Sequence, residues 1–495
     1  MIRRRTLLAM GGAAALGAVA GGVGVGALLR NGEAQPTGPT TGARVSYQAW
    51  RQSRTAPYFI GHRGAGDVAP EHTLPSYQMG NDWGAPAIEI SVVRSADGVV
   101  YCLHDLTLDR TTTGSGPARG KASSDLDNVR VSVPRLGPRW VGVKVPVLPR
   151  LTDVLTALGG RAVLCLEAKD DDAYPLMTEI IEERGLQDTV MIKLPGTAVA
   201  RLEIAKAAGY PIYAYLGNDE VATPAGIDQL AKVLDPNMDA LVLPAQSGPN
   251  LFPSNLIRRA VGTGVPVWVV PVHRRYELQH FASLGVQGMV SPDVGYLSGS
   301  EPKLAADAWA KGAISAGERT LDPFSDKYGL HWEERGAIGL DVPGRAAFVT
   351  LGQFCPISAN SYRLEFDAAF DPLPIDTWQH LSVAFGHADD RYYEHRAANS
   401  NGYHALVRAD GQMAIYAHLQ GDPNGKALTA TRQSTPFEAG SWTRLTLDVT
   451  PATIRLTRDD GSFVEAQDAR FRGGYFHIGR SGTDGKLKIR NLQVS

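Results

Sequence analysis

The chain has 495 residues, room for two or three domains, and its 43% apolar and 20% charged side chains argue against a disordered or coiled-coil protein. Its 49 basic and 51 acidic residues leave a net charge of -2, so no strong positive field points to nucleic acid as a partner. Three cysteines exclude a disulfide scaffold, and the lack of clustered Cys/His spacing argues against a structural zinc site. At the N-terminus, Arg3, Arg4 and Arg5 precede an uncharged run from Leu7 to Leu29 rich in Ala, Gly and Val. A basic segment before an apolar run predicts an export signal over residues 1–34. The order Arg4-Arg5-Thr6-Leu7-Leu8 is that of a twin-arginine signal. Cleavage near Ala34 would leave the protein secreted or at the cell surface; an uncleaved run would anchor it in the membrane. Residues 35–50, opening QPTGPTTGA, read as a linker.

From Tyr58 to Ser291, short apolar runs alternate with amphipathic stretches. The runs are YFIGH (58–62), AIEIS (87–91), AVLCLEA (162–168), TVMIK (189–193), IYAYL (212–216), ALVLP (240–244), VPVWVV (265–270) and QGMVS (287–291). Amphipathic segments such as 151–158 and 197–208 lie between them. The alternation predicts an α/β fold, a (β/α)8 barrel of the triosephosphate-isomerase type, over residues 51–317. Asp97-Gly98 between two β-rich runs predicts a two-residue hairpin turn, which sets Ser91 opposite His104. Cys102 and Cys165 are then expected to point into the barrel. Residues 111–149, rich in Gly, Ser and Pro, read as an inserted excursion. Beyond Gly317 the period becomes two: 362–370, 380–386, 403–419, 442–449, 453–466, 475–479 and 486–494 alternate, with hairpin turns at Asp410-Gly411 and Asp460-Gly461. This predicts an antiparallel β-sandwich over 318–495.

Chemistry-bearing residues gather at the predicted strand ends. The first strand ends in Gly61-His62-Arg63-Gly64, and Pro70-Glu71-His72-Thr73 follows in the next loop. Glu89 lies on the second strand, His104-Asp105 on the hairpin, and Glu167 and Lys169 on the third strand, two apart and so on one face. In a barrel these ends surround one mouth, the catalytic face of the fold. Two histidines supply an acid and a base near neutral pH. Glu89 and Glu167 are hard oxygen ligands suited to Mg2+ or Ca2+, and Arg63 and Lys169 can hold phosphate oxygens. The set suits phosphodiester cleavage.

These residues resemble the glycerophosphodiester phosphodiesterases. The resemblance runs over roughly residues 57–315, through His62-Arg63-Gly64, Pro70-Glu71-His72-Thr73, Ile88-Glu89-Ile90-Ser91-Val92, Asp97-Gly98, His104-Asp105, Arg110-Thr111-Thr112-x-Gly114, Pro146-x-Leu148 and Glu167-x-Lys169. It implies a hydrolase, exported if the N-terminal signal acts as predicted, that cleaves glycerophosphodiesters, lipid head groups or a teichoic-acid-like polymer, to glycerol phosphate and an alcohol. It implies His62 and His104 as the acid/base pair and Arg63, Lys169 and Trp268 as substrate-binding residues. It also implies one divalent cation, Mg2+ or Ca2+, at Glu89, Ser91 and Glu167. Ser91 departs from the pattern, which has Asp there, so the site is expected to bind metal weakly. The alternative is a barrel that binds phosphodiester polymers or glycans at the cell surface without turnover. The sandwich resembles laminin-G or concanavalin-like lectin domains in strand spacing, which implies glycan binding, with Trp378, Tyr392, Tyr393 and Trp442 as candidate platform residues.

Overall fold

The computed structural model describes residues 44–300, 303–320, 330–333, 336–342, 344–354, 360–393 and 399–495. The expected export signal, its expected cleavage point and the first part of the expected linker lie outside the described residues. Among the described residues no helix is long and apolar enough to cross a membrane.

Eight parallel strands close a barrel: β1 (Tyr58–Gly61), β2 (Ala87–Arg94), β4 (Val163–Ala168), β5 (Val190–Pro195), β6 (Ile212–Tyr215), β7 (Ala240–Pro244), β10 (Val267–Val270) and β11 (Gly288–Ser291). The ring closes because β1 pairs with both β11 and β2. All eight predicted runs are strands, since residues buried on both faces must be apolar on both. β3 (Val100–Cys102) adds an antiparallel edge to β2, and β8 (Gln246–Ser247) with β9 (Asn250–Leu251) forms a small ribbon after β7. The helices are α1 (Tyr47–Ser53), α2 (Leu74–Asp82), α3 (Ser123–Leu126), α4 (Leu151–Leu158), α5 (Ala173–Glu183), α6 (Val199–Ala207), α7 (Pro224–Val233), α8 (Ser254–Val261), α9 (Arg275–Ser283) and α10 (Val294–Ser298).

The linker expected over 35–50 gives way to α1 at Tyr47. Ser46 caps that helix by accepting the Ala49 N–H. Tyr47 and Trp50 are buried with Tyr58, Tyr213 and Trp268 in the cluster that fills the barrel interior. Tyr47 donates its hydroxyl to the Met238 carbonyl at 2.5 Å, and the Trp50 ring meets Trp268 edge-on at 6.1 Å.

The hairpin after β2 is one residue longer than predicted. Val92 pairs with Cys102 and Arg94 with Val100, while the Ser95 N–H donates to Val99 O. Three residues, Ala96-Asp97-Gly98, therefore make the turn, with Gly98 at φ 84°. Asp97 fixes it by accepting from the hydroxyls of Ser95 and Ser123, both at 2.7 Å. A slip of one residue turns every side chain to the opposite face. Leu103, not His104, thus donates its N–H to Ser91 O. Cys102 lies in the outer core between barrel and helices, while Cys165 points inward as expected. Both thiols are free and buried.

The C-terminal part forms two antiparallel sheets. One holds His380–His387, Gly402–Arg408, Gln412–His418 and Tyr475–Ser481; the other holds Tyr362–Phe370, Thr443–Val449, Thr453–Arg458, Phe463–Gln467 and Leu487–Val494. Phe366, Phe370, Phe385, Ile415, Leu447 and Ile478 fill the space between them. These strands coincide with the alternating runs in the sequence.

Barrel and sandwich share a buried polar seam. Arg319, almost wholly enclosed, pairs with Asp293 and with Asp67 at 2.9 Å, both barrel residues. Asp390 of the sandwich accepts the Arg275 and Tyr276 N–H groups at 2.6 and 2.9 Å and the Tyr296 hydroxyl at 2.8 Å. It so caps α9, whose first N–H groups have no partner within the helix. Arg274 donates to the carbonyls of Thr320 and Asp390 at 2.8 and 2.7 Å. A cut after residue 317 would remove Arg319 and Asp390 and so take from Asp67 and Asp293 the arginine they share.

Candidate active site

Strand polarity brings the chemistry to one mouth. Along β2 the alternation turns Glu89 and Ser91 inward; along β4 it turns Cys165 and Glu167 inward. Ser91 sits level with Glu167 in the parallel register. On β5, Met191 points inward, and so does Lys193, which is level with Tyr213 of β6. A cavity of about 430 Å³ opens above them, lined among others by His62, Arg63, His104, Lys193, Tyr213 and Tyr215.

His62 and Arg63 extend from β1 over this mouth. Arg63 has φ 56°, as does His72, and the His72 N–H donates to Arg63 O. Left-handed backbone at non-glycine residues is costly and clusters at functional sites. Gly64 follows at φ 85°, where a Cβ would lie 2.6 Å from Ser76 backbone, so only glycine fits the turn. Thr73 caps α2 by accepting the Ser76 N–H, which leaves Glu71 for another task. Glu71 accepts from Arg63 at 3.1 Å and from Arg110 at 2.7 and 3.1 Å. Burial would raise its carboxyl, but Arg63 and Arg110 hold it well below the ordinary range.

The two expected histidines face the same cavity from different environments. His62 is buried, which drives its pKa well below the usual value against the pull of Glu89, 3.6 Å away. It is therefore a neutral base at neutral pH. His104 is lowered mainly by burial, while the Asp105 carboxylate, 2.7 Å from its Nδ1, acts to raise it. Arg110 in turn grips Asp105 at 2.6 Å. The Asp105 contact fixes the imidazole so that Nε2 is the atom left for chemistry. His72 stacks on His104 at 6.3 Å and bonds Tyr77, and burial lowers it to about 3.

The expected metal ligands are brought together, but around a lysine. Lys193 Nζ donates to Glu89 Oε1 at 2.6 Å and to Glu167 Oε2 at 2.8 Å. The other Glu89 oxygen accepts the Arg63 N–H at 3.0 Å. Glu167 also accepts from the Tyr215 hydroxyl at 2.8 Å, from Lys169 at 3.0 Å and from Ser91 at 3.3 Å. Every oxygen of both carboxylates thus has a protein donor. Burial acts against the charge on Lys193, yet Glu167 and Glu89 hold its pKa well above the ordinary value. Glu167 is lowered to about 2 against its burial, chiefly by Lys193 and then Lys169. Among the described residues no group of three or more His, Cys, Asp or Glu is placed to hold a metal ion. The donor set expected for a divalent cation, Glu89, Ser91 and Glu167, does not fit one. Its two carboxylates are already matched by two ammonium groups, and its third member is a neutral hydroxyl.

Trp268 is also displaced from its expected role. It is fully buried, gives its indole N–H to the Tyr58 hydroxyl at 2.8 Å and packs on Tyr213. It floors the barrel, while Val270, two residues nearer the mouth, lines the cavity. Lys169 contacts Glu167 and is not among the lining residues. Sequence reasoning missed Lys193, Tyr213 and Tyr215. Their signal was strand parity: a lysine at the end of the fourth predicted run had to face the same mouth as Glu167. Of the sandwich aromatics, Tyr393 is buried on His404, Arg490 covers Trp442, and Trp378 is exposed.

Residues 62–201 match the model of the glycerophosphoryl diester phosphodiesterase family. The chain is 34% identical over 127 residues to a glycerophosphodiester phosphodiesterase of Bacillus subtilis, covering 24% of this chain and 42% of that protein. It is 25% identical over 244 residues to a glycerophosphodiester phosphodiesterase of Caldanaerobacter subterraneus, covering 47% of this chain and 93% of that protein. A solved Oleispira antarctica phosphodiesterase, in complex with the product sn-glycerol-3-phosphate, aligns with a TM-score of 0.42 at 20% identity, over 50% of this chain and 96% of that one. The chain thus spans less than half the length of the first of these relatives.

Proposed function

We propose that this chain, whose barrel carries a glycerophosphoryl diester phosphodiesterase family domain over residues 62–201, hydrolyses glycerophosphodiesters to glycerol phosphate and an alcohol. The observation that carries the reading is the pair of histidines on one cavity, His62 made neutral by burial and His104 oriented by Asp105. The diester's phosphate lies in the mouth, where Arg63 offers its guanidinium as a clamp. His62 takes the proton from the attacking oxygen, a water or a free glycerol hydroxyl, as that oxygen bonds to phosphorus. His104, in the imidazolium form that the Asp105 contact favours, gives its Nε2 proton to the leaving alkoxide oxygen as the other P–O bond breaks. When the glycerol hydroxyl attacks, the cyclic product is opened by water with the two roles exchanged. The tyrosines at positions 213 and 215 wall the cavity and limit its water.

Export is part of the proposal and rests on the sequence at Arg4-Arg5-Thr6-Leu7-Leu8. It makes a glycerol-phosphate polymer of the cell surface a candidate substrate beside lipid head groups. Phosphate-ester release from glycerophosphocholine and from poly(glycerol phosphate) tests the function and separates the two. Hydrolysis of either supports the reading. Binding of the polymer with no hydrolysis of either points to the non-catalytic alternative and refutes it.

A further inference from the structure

We infer that Lys193 takes the place of a divalent cation in this site, so that the barrel handles its phosphodiester without metal. The inference deepens the proposed function and rests on it only for the identity of the substrate. Three observations carry it. The first is position: Lys193 Nζ lies between Glu89 Oε1 and Glu167 Oε2 at 2.6 and 2.8 Å, on the axis where two carboxylates would share an ion. The second is charge. The pattern that the chain resembles has three carboxylates here, and this chain has Ser91 in place of the middle one. Three carboxylates with a divalent ion, or two with one ammonium, each leave a single net negative charge. With Ser91 in place of a carboxylate, the ammonium of Lys193 therefore leaves the same net charge that a divalent ion leaves among three carboxylates. The third is access. Lys193 is buried on its protein side yet lines the cavity, and the rings of Tyr213 and Tyr215 lie 5.5 and 5.1 Å from its Nζ. An ammonium has three N–H donors. Two are committed to the glutamates, and the third is available to a phosphate oxygen entering from the mouth. There it offsets the charge that builds on phosphoryl oxygen in the transition state, as a Lewis acid would. Glu89 and Glu167 then serve to hold Lys193 charged and aimed, with Lys169 and Tyr215 fixing Glu167.

Two measurements test this on the full chain. Calorimetric titration of Mg2+ and Ca2+ compares the wild type with Ser91→Asp/Lys193→Ser, which restores a third carboxylate and withdraws the ammonium. The wild type should show no site tighter than about 1 mM, and the double variant should gain one. Equal stoichiometry in the two proteins overturns the inference. Turnover in EDTA of glycerophosphocholine or poly(glycerol phosphate), whichever the wild type hydrolyses, is the second reading and needs no variant to fold. Full turnover in EDTA supports the inference; turnover lost in EDTA and restored by Mg2+ or Ca2+ overturns it. In EDTA, Lys193→Ser alone should lower kcat on the order of 10^2- to 10^3-fold, and an unchanged kcat overturns the role given to this residue. Absence of turnover of both glycerophosphocholine and poly(glycerol phosphate) in every arm refutes the phosphodiesterase reading, while the titration still decides which cation the site holds.

Discussion

Replacing Arg319 by Met should destabilise barrel and sandwich together, and by an amount that depends on pH. The guanidinium is fully enclosed, paired with Asp293 and with Asp67 at 2.9 Å. Methionine nearly fills the volume but carries no charge. Asp67 retains His273, 2.7 Å away, whereas Asp293 retains only neutral donors such as the Gly317 N–H at 2.8 Å. Removing one partner of a buried pair costs about 3–5 kcal/mol. Unfolding entropy of ~2.1 cal/mol/K per residue over the compact unit Arg44–Ser495 converts this to a Tm fall of about 3–5 °C. Burial already raises the Asp293 carboxyl above its usual value, and Arg319 opposes that rise. Without the arginine the folded pKa climbs further above the unfolded one. A raised carboxyl destabilises the fold at pH above that folded pKa, and the deficit shrinks as pH falls through it. Thermal unfolding at pH 8 and pH 5 should therefore show the full loss at pH 8 and a smaller one at pH 5. A fall under about 1 °C at pH 8, or one that does not shrink towards pH 5, would refute the reasoning.

Other outcomes follow from the same structure. His62→Ala and His104→Ala should each lower kcat by ~10^2- to 10^4-fold with the fold retained by circular dichroism; a variant with wild-type turnover removes that histidine from the mechanism. Because burial lowers His62, the acid limb of kcat/KM should lie below the ordinary histidine value of about 6.5; a limb above it would count against His62 as base. Asp105→Asn removes the contact that raises His104, so the acid deprotonates sooner and the basic limb should move to lower pH. An unmoved basic limb would show that Asp105 does not act through His104. Asp390→Ala uncaps α9 from across the seam and should cost about 1–2 kcal/mol in denaturant unfolding; a change under about 0.3 kcal/mol would contradict the capping role.

The fold was legible wherever periodicity speaks. Every predicted barrel run became a strand, because parallel strands under helices are apolar on both faces. The sandwich strands showed their alternation just as directly. The hairpin was misread by one residue because Asp97-Gly98 suits a two-residue turn and a three-residue one alike. The side chains of Ser95 and Ser123 that choose between them act through space. That single slip moved Cys102 from the barrel interior to the outer core. The histidines and glutamates of the site could be read from motifs at strand ends. Strand parity could place Lys193 at the mouth, but its pairing with Glu89, two strands away around the barrel and 104 residues away in sequence, could not be read from spacing. Trp268 looked like a pocket residue on its strand, and only the depth of the layer that it occupies with Trp50 and Tyr58 removes it.

Hydrolysis is read most directly from phosphorus NMR time courses of glycerophosphocholine and of poly(glycerol phosphate) with the purified full chain, wild type beside His62→Ala. At least one diester signal should give way to glycerol phosphate with the wild type, and do so on the order of 10^2-fold more slowly, or not at all, with His62→Ala. Signals of both diesters that persist with the wild type in EDTA, Mg2+ and Ca2+ alike would contradict hydrolysis by this barrel.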